Sequence, residues 1–284
     1  MAGDPSGYDF ATLLAVLEEG VLEVGLNRPE ALNAFNTAFF ADLKRCMTQA
    51  SEDPEVRCVV VHGGSSRIFT AGLDLKGMMS GDSGLLTPSK QDVSRRALRM
   101  GASMIRPLQE AISSIEHCVK PVVAAMHSGV VGGGVDLVSA CDIRYCSEDT
   151  WMSIAEVNIG IAADIGTLQR LPKIVGNDSV VREMAFTGRR LLANDMKALG
   201  LVGKILPTKE ACLEEAKTLA KEIATKSPVA VLGTKVSLNF SRDHSIQEGL
   251  DHICQWNSLH ILSDDVKTAA MATLSKSKPT FSKL

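Results

Sequence analysis

Val122-Val123-Ala124-Ala125-Met126-His127-Ser128-Gly129-Val130-Val131-Gly132-Gly133-Gly134-Val135-Asp136-Leu137 is the stretch on which the fold of the chain turns. Its opening apolar run predicts a short buried strand, Val131 to Ala140 reads as a helix, and Ile143 to Cys146 as the next strand. Strand, glycine turn, helix and strand in that order are the unit of an α/β fold. The glycines have a second reading. Backbone N–H groups at a helix start have no intrahelical partner, and without side chains around them a ligand oxygen gaining negative charge can approach. Taken alone, the same glycines serve equally well to pack helix closely on strand.

Working outward, Leu13 to Leu17 and Val21 to Leu26 alternate around Glu19-Gly20, which predicts a hairpin. Ala38 to Ala50 carries Phe39, Phe40, Leu43 and Met47 at helical spacing, Val56 to Val61 is a β-branched run, and Ser89 to Cys118 is a long helical region. Such alternation predicts largely parallel strands, because short parallel strands need helical crossovers. From Lys209 the pattern becomes four helical stretches, roughly 208–226, 228–240, 245–262 and 264–275. The chain therefore divides into an α/β core over 1–206 and a helical region over 207–284. The apolar faces of that region, with Leu250, Ile253, Trp256, Leu259 and Ile261, suit either the core or a partner subunit.

With 284 residues, 45% of them hydrophobic, the chain can bury a core without staples. No apolar run approaches the roughly 20 residues that cross a bilayer. A net charge of −3 with interspersed signs provides no basic stripe for nucleic acid. The seven cysteines form no Cys-x-x-Cys pair and read as reduced thiols, and the histidines lack metal-ligand spacing, so no metal is expected. The first basic residue, Arg28, follows several acids, unlike a signal or transit peptide. Ser282-Lys283-Leu284 at the other end is the tripeptide read by the peroxisomal import receptor, which predicts that receptor as a partner and a peroxisome or related organelle as the location.

Phe69-Thr70-Ala71-Gly72-Leu73-Asp74-Leu75 is a small-residue loop after the strand at Val59 to His62. By itself it is no more than a surface loop. Paired with the glycine turn it gains meaning, because an oxyanion hole commonly takes one donor from each of two segments that follow strands. Three acids stand near these elements. Asp136 lies three residues after Gly133, on the same side of the helical turn. Glu156 and Asp164 bracket the apolar Val157 to Ala163, where a carboxyl gains proton affinity and suits proton exchange near neutral pH. The plainer readings are a helix-dipole partner for Asp136 and a helix cap for Asp164.

Leu26-Asn27-Arg28-Pro29, Ala31-Leu32-Asn33-Ala34, the Ala71 to Leu75 loop, Gly132-Gly133-Gly134, Cys141-Asp142-Ile143, and Glu156 with Gly160 together resemble the crotonase, or enoyl-coenzyme A hydratase/isomerase, superfamily over about residues 10 to 205. The resemblance implies a spiral of strand-strand-helix turns followed by helices, and a homotrimer or homohexamer. It implies an oxyanion hole made by the N–H groups of Leu73 and Gly133. It also places Ala31, Ala71, Gly72, Leu73, Asp74, Leu75 and Gly133 against a coenzyme A thioester, which is substrate rather than cofactor.

Hydratases of the superfamily carry glutamate where this chain has Asp136 and usually glycine where it has Asp164. Instead, Gly133-Gly134-Val135-Asp136-Leu137, Ser139 to Cys146, Glu156-Val157, Ala162 to Lys173 and the ending Thr280 to Leu284 resemble the dienoyl-coenzyme A isomerase branch. Members shift 3,5-dienoyl to 2,4-dienoyl thioesters in unsaturated fatty acid β-oxidation. The resemblance implies Asp164 as base at C2, Glu156 as donor at C6 and Asp136 tuning the pair, and leaves the reverse direction open. An enoyl-coenzyme A hydratase, or a thioester- or RNA-binding relative without important turnover, are the alternatives.

Overall fold

A computed structural model describes residues 7–79 and 92–284. The chain opens with β1 (Leu13–Glu18) and β2 (Val21–Leu26), the antiparallel hairpin expected around Glu19-Gly20. A 3-10 turn at Pro29–Ala31 leads to α1 (Thr37–Glu52), capped by Asn36, then to β3 (Cys58–His62) and α2 (Leu75–Met79). After α3 (Val93–Met100) comes a π-helical turn, Gly101–Ile105, and then α4 (Arg106–His117). The long helical region expected over 89–118 is thus helical from Val93 to His117, with one wide turn inside it. Pro107 has no N–H to give the preceding turn, and the wide turn directly before it absorbs the mismatch. Positions 89–91 of that expected helix lie outside the described residues.

The middle of the chain repeats one pattern. β4 (Val122–Met126) and β5 (Gly129–Val131) lead into α5 (Gly133–Ala140); β6 (Ile143–Ser147) and β7 (Trp151–Ser153) lead through a 3-10 turn at Glu156–Ile159 into α6 (Thr167–Ile174). The first strand of each pair joins a six-stranded sheet, the second a small sheet. β4 pairs in parallel with β3 and β6, while β5 pairs in parallel with β7. Thr70 forms a parallel bridge to Val130, so the loop after β3 occupies the place in the small sheet that β5 and β7 hold in the next two turns. This is the strand-strand-helix spiral. It also corrects the reading of Val131, expected at the head of a helix: Val131 N–H donates to Thr70 O at 3.2 Å, so it stays a strand residue and the helix begins at Gly133.

α7 (Asp178–Thr187), β8 (Leu191–Leu192), α8 (Ala193–Ala198) and β9 (Lys204–Leu206) follow. β8 closes the small sheet against β7, and β9 ends the large one beside β6, giving the order β1-β2-β3-β4-β6-β9. Alternate residues of the central strands serve two cores. Val59, Val61, Val122 and Ala124 face α1, α4 and α5, while Cys58, Val60, Val123 and Ala125 meet Cys212, Ala216 and Ala220 of α9 (Lys209–Ala224). Burial on both faces accounts for the unbroken apolar runs in the sequence. Six of the seven cysteines are buried and free, and Cys254 is exposed and free.

α10 (Pro228–Ser241), α11 (Ile246–His260) and α12 (Asp264–Ser275) complete the chain. Trp256 of α11 lies on Gly233 of α10, where a Cβ would come within 2.3 Å of the indole nitrogen. Leu250, Leu259 and Ile261, expected to cover a core or a partner, are exposed on this chain. No helix among the described residues is long and apolar enough to cross a membrane.

Candidate active site

The two segments expected to donate N–H groups are brought together by the backbone. Thr70 N–H donates to Gly129 O at 3.1 Å and Thr70 O accepts from Val131 N–H, which lays the loop alongside β5. The loop is then fixed from beneath. Asn33 is buried, and its Nδ2 donates to the carbonyls of Gly63 and Phe69, both at 2.9 Å. The Thr70 hydroxyl donates to Asn33 O at 2.7 Å and accepts from Gly72 N–H at 3.1 Å. Phe35 N–H donates to Gly72 O, Asp74 N–H to Phe35 O, and Ala71 N–H to Leu32 O. The last bond ties the Ala31 to Ala34 segment to the Ala71 to Leu75 loop, so the residues expected to meet coenzyme A form one surface.

Gly72 requires its glycine. Its φ is +82°, and a Cβ there would stand 2.6 Å from Val131 O and 3.4 Å from the nitrogen of Gly133. The closeness of that built atom to Gly133 N shows how near the two donor segments run. Leu73 and Gly133 N–H have no acceptor among the described residues, as an oxyanion hole demands. Gly133 also backs on Phe35, whose ring stacks on Phe39 at 3.9 Å, so an apolar wall lies behind the donors. Asp74 does not aim at the hole: it pairs with Arg28 at 3.0 Å and accepts from Gly77 N–H at the head of α2, where Leu75 begins the helix. These contacts hold its carboxyl below the usual range, the Gly77 bond first.

Asp136 is wholly buried within α5. Its Oδ1 accepts from Thr167 N–H at 2.6 Å, while Oδ2 is buried without a partner. Burial pushes its pKa up to about 6, against the pull of the Thr167 bonds and of Arg170. Glu156 is 7% exposed, with Oε2 likewise buried and unpartnered. Its carboxylate lies over the glycine turn, since a Cβ at Gly132 would stand 3.1 Å from Oε1. Burial, with the charges of Asp136 and Asp164, pushes Glu156 to about 7. Asp164 is raised by partial burial, and its carbonyl accepts from Gln109 Nε2 of α4 at 2.7 Å.

The charge of Asp136 in α5 thus raises Glu156 over the glycine turn, and the charge of Asp164 adds a smaller push to both. The expected apolar enclosure holds for Glu156 but not for Asp164, which is exposed, as are Val157, Ile159 and Ile161. These side chains sit on a short 3-10 turn and the extended stretch after it, which cannot fold them back over the acid. No grouping of three metal-ligating side chains occurs among the described residues.

Thr167, Asn33, Thr70 and Arg170 are the functional residues that sequence reasoning passed over as motif filler. Arg170 is buried on Glu116 (Nε to Oε2, 3.0 Å) and Ser113 (2.9 Å), and Glu116 also pairs with Arg242 at the C-terminal cap of α10. A buried arginine one turn after Gly166-Thr167 was the available signal, since such a cation needs a partner and biases nearby acids.

Residues 17–283 match the family model described as enoyl-CoA hydratase/isomerase, and the chain belongs to that family. Among its relatives, the mitochondrial Delta(3,5)-Delta(2,4)-dienoyl-CoA isomerase of Homo sapiens is 45% identical over 286 residues, covering 99% of this chain and 86% of that one. The peroxisomal Delta(3,5)-Delta(2,4)-dienoyl-CoA isomerase of Arabidopsis thaliana is 42% identical, covering 94% of each. The crystal structure of an enoyl-CoA hydratase from Mycobacterium smegmatis has a TM-score of 0.82 at 26% identity, covering 95% of this chain and 98% of that one.

A carboxyl raised from 3.8 to about 6 by burial binds its proton more tightly folded than unfolded. The contribution of this group to stability is then greatest below the unfolded value and falls as pH rises towards 6, by about 2–3 kcal/mol. Asp136→Asn keeps an acceptor for Thr167 N–H and removes the charge. It is expected to raise Tm at pH 8 and flatten the fall between pH 4 and 6, as read by calorimetry over that range; a variant that melts lower at pH 8 would refute the buried-charge account.

Proposed function

We propose that this chain converts 3,5-dienoyl-CoA to 2,4-dienoyl-CoA in unsaturated fatty acid β-oxidation, with its carboxylates moving the protons. The observation that carries the mechanism is the pair of buried, unpartnered carboxylate oxygens, on Asp136 and Glu156, beside two free backbone N–H groups. The thioester oxygen accepts from Leu73 and Gly133. Asp164, as carboxylate, takes a proton from C2; the electron pair spreads through the diene onto the thioester oxygen, where the two donors stabilise it. Glu156, whose raised pKa keeps it substantially protonated at neutral pH, gives its proton to C6. Asp136 holds Glu156 protonated by like-charge repulsion. Protons alone are moved, so the step as written calls for no redox cofactor or metal, and coenzyme A arrives with the substrate.

A carboxyl near 7 acting as acid predicts that kcat/KM falls as pH rises past about 7, and Glu156→Gln and Asp164→Asn should each lower turnover about 10²–10⁴-fold. Diene conjugation followed spectroscopically, with 2-enoyl-CoA hydration in parallel, checks this. Faster hydration than isomerisation would make the chain a hydratase, and coenzyme A binding without either reaction would leave a binding protein.

Ser282-Lys283-Leu284 supports import into a peroxisome. The Arabidopsis relative is named peroxisomal and the human one mitochondrial, so the tail has to decide. Two residues added after Leu284 should leave the protein cytosolic; unchanged residence in the organelle would refute peroxisomal import by this tail. Leu250, Leu259, Leu262 and Leu274, exposed on α11, α12 and the turn between them, support assembly into a homotrimer or homohexamer. Sedimentation equilibrium should return three or six times 30.3 kDa, and a monomer would end that reading.

A further inference from the structure

The terminal tripeptide is held against the body of the protein. Beyond α12 the chain runs back to the turn between α1 and β3. There Arg57 Nη2 donates to the carbonyls of Phe281 (3.2 Å) and Ser282 (3.1 Å). These are the acceptors of that guanidinium among the described residues, and its Nη1 is buried without one. The Lys283 ammonium pairs with Glu55. Leu284, 45% exposed, lines a recess with Val56, Pro121, Ile223 and Val231. Arg57, Lys120 and Lys226 line the same recess. Lys120 is itself buried, and burial lowers its pKa, so an anion in this recess would meet a weakly hydrated cation.

Ser282 is thus held by its carbonyl, Lys283 by its amine and Leu284 by its side chain. We propose that Glu55, Arg57 and the recess between the α1–β3 turn and α9–α10 form a binding site for the chain's own C-terminus, and that an import receptor must compete with it for the tripeptide. The docking stands on the contacts alone; the competition rests on the peroxisomal reading above. A receptor that captures a free C-terminus binds only the undocked fraction, so its apparent affinity falls in proportion to that fraction.

Two measurements on the full-length protein separate these claims. In the first, a carboxypeptidase releases Leu284 from the native chain, followed by mass. Release should be about tenfold slower from wild type than from Arg57→Ala or Glu55→Ala, taking docking to leave about a tenth of the tails free. Glu55 is exposed, so its variant guards against damage to the fold at Arg57. Equal rates in all three overturn the docking. In the second, the cargo-binding domain of a peroxisomal import receptor is titrated with wild type, Arg57→Ala and a synthetic peptide of residues 275–284. Wild type should bind about tenfold more weakly than the peptide, with Arg57→Ala closing the gap. Equal affinities overturn the competition. A peptide that fails to bind overturns the targeting reading instead, and leaves the docking to be judged on release of Leu284.

Discussion

Two backbone hydrogen bonds between Thr70 and β5 set the geometry from which the rest of the site follows. They place a loop from one turn of the spiral against the strand of the next, and so bring Gly72, the residue before Leu73, against Gly133, some sixty positions away in sequence. Neither donor is a side chain. Their placement depends on support from below, which Asn33 supplies through its amide and Thr70 through its hydroxyl. A ligand oxygen arriving there finds dipoles already oriented, and no reorganisation is left to oppose its charging.

Around this fixed point the protein buries acids. Asp136 and Glu156 each leave an oxygen unpaired in the interior, an arrangement that burial makes costly and that a protein selected for stability alone would avoid. The cost is moderated by the Thr167 N–H and by Arg170, itself neutralised by Glu116. That network passes through Arg242 into α10, so the protonation state at the reaction centre is tied to the helical end of the chain.

Much of this was legible in the sequence. The hairpin, the central strands and the C-terminal helices announce themselves through periodicity, because each buries a regular face. The three acids and two donors could be singled out because the motifs around them resemble those of the crotonase superfamily; spacing alone left a helix-dipole partner at Asp136 and a helix cap at Asp164. The small sheet could not be read, since β5, β7 and β8 have two or three residues each, too few to show alternation. Val131 was given to a helix because glycines on its far side hide the boundary, and the partner that makes it a strand, Thr70, is distant in sequence. The exposure of Asp164 was hidden for a similar reason: an apolar neighbourhood in sequence says nothing of whether the backbone can fold it over a side chain.

The oxyanion donors of the proposed mechanism are main-chain atoms, and this bears on how such a protein changes over time. A sequence that keeps the spiral together with Asn33, Thr70 and Gly72 keeps these N–H groups in place, and a new side chain at position 73, short of proline, leaves the amide itself. By the proposed mechanism the reaction is written separately, in a handful of acids at Asp136, Glu156 and Asp164 that can be exchanged one at a time. A scaffold divided in this way can alter its chemistry without passing through a form that has lost its grip on the substrate.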